Sequence, residues 1–170
     1  MFPAETNLLV LREAIRFAEK SLDAQLAIIT ALAQRAAGLA TMLGAAAAAT
    51  LTVEVTILNA FHDAPTLRLF ILAAIAPLLM LAGCAYCGKA AATSTFQTAG
   101  NYPASWKGNV TEADLNDALA GELDNYQEYL VHNDGIIASH AGYLQTGLRL
   151  GFGSLAVLML VGAAFFYVHR

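Results

Sequence analysis

Charge is scarce in this chain of 170 residues: Asp, Glu, Lys and Arg make up 13% of it, against about 25% in an average soluble domain. What charge there is leans acidic, with a formal net charge of −4, so the basic footprint of a nucleic-acid binder is missing. Cysteine is nearly absent. The two present, Cys84 and Cys87, lie together at the end of one apolar segment, which excludes a secreted disulfide scaffold. The motifs of common active sites are missing too. There is no H-E-x-x-H, no second cysteine pair, no glycine-rich phosphate loop outside an apolar run and no serine in a nucleophile motif. Cys84 and Cys87 match C-x-x-C, but the redox form of that motif opens a helix after a strand, and this pair ends an apolar helix. His132 and His140, with Asp134 near, are too few for a zinc site. The expectation is therefore no enzyme, no metal and no cofactor. Residues 1–20 mix Glu and Arg around no short apolar core, so a cleaved signal peptide is not expected.

What the chain has in abundance is apolar residues, 58% of the total. Three runs are long enough to cross a hydrocarbon core of about 30 Å at about 1.5 Å per residue. Residues 36–57 and 67–87 form a hairpin of two spans within 36–88, and a third span occupies 148–170. Residues 1–35 read as an N-terminal amphipathic helix, and 89–147 as an irregular connector followed by a helix. The predicted fold is an all-α integral membrane protein with three transmembrane helices, long cytoplasmic helices and an oligomeric assembly. Pro65 is expected to end regular structure in a short loop at 59–66, and Pro77 to kink the second span. Within about 20 residues of the membrane, Lys20, Arg35, Lys89, Lys107 and Arg149 lie on one side and Arg68 and Arg170 on the other. That bias makes the first side, with the N-terminus, cytoplasmic.

Two patterns within the helices point further. Leu8, Leu11, Ile15, Ala18, Leu22, Ile29 and Leu32 alternate steps of three and four, with Gln25 filling one slot. Such a heptad stripe packs against helices of its own subunit or builds an oligomeric coiled coil. In the first span, small residues such as Gly38, Gly44 and the alanines after it permit close helix approach. Glu54 is the one charge in that span. It either snorkels to water or faces a pore, since a carboxylate in a membrane avoids lipid. Thr50, Ala47 and Leu43 lie on its face, and Thr41, Gly44, Ala48 and Thr52 form a second, weakly polar face. The pore-lining candidates are Glu54, Thr50, Ala47 and Thr41. With Asp63 in the following loop, the non-cytoplasmic mouth would be acidic and would favour cations.

In the second half of the chain, Thr111 is placed to cap a helix whose first turn is acidic. Leu115, Leu119, Tyr126, Leu130 and Ile137 continue it at helical spacing, and Gly135 weakens it midway. Its acids, among them Glu112, Asp114, Asp117, Glu122, Asp124 and Glu128, form a solvated face or a docking surface for a basic partner. The third span ends in Phe165, Phe166 and Tyr167, an aromatic belt.

The run from Ala18 through Asp23, the Gln34-Arg35-Ala36 entry into a Gly/Ala-rich span, the connector at Pro103 to Trp106 and the acidic helix after it resemble one family. The arrangement is similar to the small SLATT-type and Pycsar-type transmembrane effectors of bacterial antiphage defence, with a third span added. The resemblance implies a self-associating protein of the bacterial inner membrane that depolarises or permeabilises it on infection. It also implies a nucleotide or oligonucleotide ligand made by a partner nucleotidyltransferase, and Arg12, Arg16, Lys20, Arg35, Lys89 and Lys107 are the candidates for its phosphates. A non-conducting membrane scaffold that recruits a cytoplasmic partner is the alternative.

Overall fold

The computed structural model describes residues 4–60, 64–100 and 112–168. They form four helices: α1 (Ala4–Ala60), α2 (Ala64–Ala73), α3 (Ile75–Ala91) and α4 (Glu112–Val168). Among the described residues there is no strand. Three helical stretches are long and apolar enough to cross a membrane: one in α1, one formed by α2 and α3 together, and one in α4. The chain divides into two compact units, 1–31 with 93–138 and 32–92 with 139–170.

In the first unit the heptad stripe of α1 is the inner face. Ala18 and Leu22 are buried with Tyr126 of α4, and Ile15, Leu123, Tyr129 and Leu130 pack around them. The stripe thus packs within its own chain. Gln25, the polar residue in the stripe, is buried with it. Its Nε2 donates to the Leu130 carbonyl at 3.1 Å and to Asp134 Oδ1 at 2.7 Å, which compensates much of the cost of burying an amide.

After α3 the chain leaves the helix at Ala92, which is extended, and residues 93–100 run as a non-helical strap. Asn133, fully buried, holds the strap at Gln97. Its Oδ1 accepts from the Gln97 N–H at 3.0 Å, and its Nδ2 donates to the Gln97 carbonyl at 2.8 Å. One side chain thereby satisfies both backbone groups of a residue that has no ladder partner. Three residues on, Gly100 adopts φ +114°, a conformation that excludes a Cβ at low cost. Its N–H donates to the Tyr126 hydroxyl at 3.3 Å. The calls at Asn101 to Trp106, Lys107 and Thr111 lie outside the described residues, as do Asp63 and Arg170.

The second unit is built from small residues. A Cβ on Gly147 of α4 would stand 2.5 Å from Cys87 Sγ and 3.0 Å from the Gly83 carbonyl of α3, so the two backbones meet where neither helix carries bulk. Leu43 of α1 fills the space above Gly83 and Gly151. Tight approach between small residues is how helices associate in lipid, where apolar burial supplies no drive. Facing outward instead are Met42, Ile71, Leu78, Phe152, Met159 and Leu160, all more than half exposed. An exterior of large apolar side chains around an interior of Ala36, Ala47, Ala76 and Ser154 suits a hydrocarbon solvent and not water.

Two expectations about proline meet different outcomes. Near Pro77 the helix is interrupted, at Ala74 between α2 and α3, although Ala74 stays helical in its angles and its N–H still reaches the Phe70 carbonyl at 3.0 Å. Pro77 has no N–H for the Ala73 carbonyl, so the ladder opens there. Pro65 does not stop the helix. It lies in the first turn of α2, where an N–H would lack an intrahelical acceptor anyway. The expected loop at 59–66 shortens accordingly, because α1 continues through Asn59 and Ala60. Gly135 does not interrupt α4 either.

Candidate functional site

The stripe that forms the inner face of α1 does not end at Leu32. Ala36, Ala40, Leu43, Ala47, Thr50, Glu54 and Ile57 carry it on at steps of three and four, with two successive fours from Leu32 to Ala40 that shift the register by one residue, and each is buried or half-buried in the second unit. Glu54 therefore turns toward the other helices of its own chain because it lies on that inner face. It is only 6% exposed. Neither carboxylate oxygen has a hydrogen-bond partner among the described residues.

Glu54 lines a cavity of about 500 Å³. Val53 and Ile57 of α1, Leu69 and Phe70 of α2, and Leu158, Val161, Phe165 and Phe166 of α4 supply its apolar walls. The cavity belongs wholly to the second unit. Thr50 also borders it, but its hydroxyl donates to the Ala46 carbonyl at 2.8 Å and lies 4.0 Å from Met80 Sδ. The carboxylate is the one ionisable group among the described residues of the lining. An unpaired carboxylate in apolar surroundings is a costly arrangement, and its chemistry is limited: it can take a proton or attract a cation.

Of the four pore-lining candidates, the structure brings Glu54, Thr50 and Ala47 to one inward face. It does not bring Thr41 there. Thr41 is exposed on another side of α1, with its hydroxyl donating to the Ala37 carbonyl at 3.0 Å. Thr52 and Thr56 are likewise exposed and bonded to the carbonyl four residues back. In this way their hydroxyls are satisfied without water.

The phosphate candidates separate by unit. Arg12, Arg16 and Lys20 are exposed at intervals of four along α1 in the first unit, so they form one ridge. Arg16 lies 3.8 Å from Glu13, and Lys20 sits over the Phe17 ring at 5.9 Å. Arg35 and Lys89 are exposed in the second unit. Lys107 lies outside the described residues. Lys89 stands 5.8 Å over the Tyr86 ring, and Tyr86 is 6.4 Å from Tyr143. This basic and aromatic cluster has the composition of a membrane interface.

The chain matches no protein-family model, no curated protein and no solved structure.

Sequence reasoning missed the polar members of the α4 stripe. Glu122, Asn133, His140 and Ser154 are buried at positions that continue the repeat of Leu119, Tyr126 and Ile137. His140, first weighed as a metal ligand, caps a helix. Its Nδ1 lies 2.9 Å from the Ala90 carbonyl, one of the last carbonyls of α3, which have no intrahelical donor. A carbonyl only accepts, so Nδ1 carries the proton. Among the acids, Asp117, Asp124 and Glu128 are exposed on one face of α4, whereas Glu122 is buried beside Tyr126. Burial pushes the Tyr126 hydroxyl up to about 12. The Gly100 N–H opposes that rise, and the Glu122 carboxylate adds to it.

Proposed function

We propose that this chain is a membrane channel or pore-forming protein, and that the Glu54 cavity is its cation-contacting part. The observation that carries this reading is Glu54 itself, buried, without a hydrogen-bond partner among the described residues and facing a cavity in a unit with an apolar exterior. A structural role would be served better by an apolar residue of similar size, since burying an unpaired carboxylate opposes folding. A carboxylate that must meet a passing cation has reason to be there.

The wider setting we propose is a self-associating effector of the bacterial inner membrane, with its N-terminus cytoplasmic, acting in antiphage defence. Two features support self-association. Val10 and Phe17, seven residues apart on α1, are both more than half exposed, and Thr41, Ala48 and Thr52 leave a small-residue face uncovered on the same helix. The ridge of Arg12, Arg16 and Lys20 is the part best suited to a nucleotide phosphate. A ligand bound there gates conduction only if its affinity differs between closed and open states.

Ion flux from liposomes containing the purified protein tests the reading. Cation flux that falls at least tenfold in Glu54→Gln supports it. Flux equal in the two proteins removes Glu54 from the pathway. A second reading, a non-conducting scaffold, is favoured by the exposed acidic face of Asp117, Asp124 and Glu128. Its mark is a co-purifying basic partner that is lost when those three are neutralised, together with no flux.

A further inference from the structure

We infer that the Glu54 cavity is a binding site for a lipophilic monocation, an aromatic or alkylated ammonium or phosphonium compound. This rests on the reading of Glu54 as a cation contact and does not need conduction. The first argument is size. About 500 Å³ is within the range of small-molecule pockets, about 300–1,000 Å³, and far beyond what one bare metal ion fills.

The second argument is the lining. A hard divalent cation takes six or more oxygens. Here Glu54 offers two, and the Thr50 hydroxyl, which donates to the Ala46 carbonyl, can add at most one more. The remaining surface is apolar, with the rings of Phe70, Phe165 and Phe166 among it. Such walls do not replace the hydration shell of a metal ion. They do suit a cation whose charge is spread over an organic body, because ring faces attract such charge and the body buries apolar area.

The third argument is charge. Glu54 has no partner among the described residues, and none of the described residues that line the cavity is basic, so one negative charge awaits one positive charge. The site therefore discriminates by sign, and an anion of the same size and hydrophobicity is excluded.

Tetraphenylphosphonium and tetraphenylborate differ in little but sign, which makes them the probes. Equilibrium binding of both is measured to the full chain in lipid nanodiscs, for the unmodified protein, Glu54→Gln and Gly162→Leu. Gly162 borders the cavity, and a Cβ there meets nothing within 4 Å, so a larger side chain at 162 can start into the open space without a clash at its first atom. We expect saturable tetraphenylphosphonium binding, weakened at least tenfold by either substitution, with no competition from tetraphenylborate. Absence of saturable binding to the folded unmodified protein overturns the inference. So does equal affinity in folded Glu54→Gln, or equal competition by tetraphenylborate, either of which would mean apolar partitioning alone. Should one variant misfold, the sign test on the unmodified protein still decides. Binding without flux leaves this inference standing and sinks the channel reading. Glu54-dependent flux without binding does the reverse.

Discussion

Gly147 sets how near α3 and α4 approach, because its missing Cβ is the space that Cys87 Sγ and the Gly83 carbonyl occupy. A cysteine has one short arm and a backbone carbonyl has none, so neither yields. Gly147→Ala is expected to lower stability by about 1–3 kcal/mol through overpacking, read as a fall in the thermal midpoint in detergent. Gly135 is the contrasting case, exposed in mid-helix with nothing within 4 Å of a Cβ. Gly135→Ala is expected to stabilise by about 0.5–1 kcal/mol. A second expectation at this scale concerns Tyr126. Its hydroxyl is held at about 12 in the folded state, against about 10 for a free tyrosine. The raised value favours the neutral form, so its contribution is complete below pH 10 and is lost as pH rises from 10 to 12. Alkaline titration of the unmodified protein should show that loss, and Tyr126→Phe should lack it.

The helices show what a sequence discloses and where it stops. The α1 stripe was legible from Leu8 to Leu32 because its positions carry Leu, Ile and Ala, which read as core at the right spacing. From Ala36 onward Leu43, Ala47, Thr50 and Glu54 were legible as one face, but the shift of register after Leu32 and the small residues between hid that this face continues the stripe. In α4 the pattern hides behind Glu122, Asn133, His140 and Ser154. Asn133 and His140 are buried against partners distant in sequence, Gln97 and Ala90, and no local pattern reveals those partners. The interruption ahead of Pro77 was legible because its cause is covalent. The helical turn around Pro65 was not, because proline both ends helices and opens them. The capping role of His140 carries its own expectation. His140→Ala leaves the Ala90 carbonyl without a donor, which costs about 1–3 kcal/mol for a buried group. The effect should be local, with faster amide exchange in the last turn of α3 and little change in α2.

At the scale of the whole molecule, the second unit is apolar outside and small or polar inside, as a bundle in lipid requires. The first unit keeps its basic ridge and acidic face exposed on helices whose inner sides are packed. Three apolar spans were visible in composition alone. The cavity was not, since its walls come from α1, α2 and α4, which are distant in sequence. The account turns on whether a buried carboxylate in such a cavity serves passing cations. The measurement that tests this most directly is cation flux from liposomes holding the purified protein or its Glu54→Gln variant, at matched protein density. The account predicts flux through the unmodified protein and at least a tenfold drop in the variant. Equal flux from both, or none from the folded unmodified protein, would contradict it.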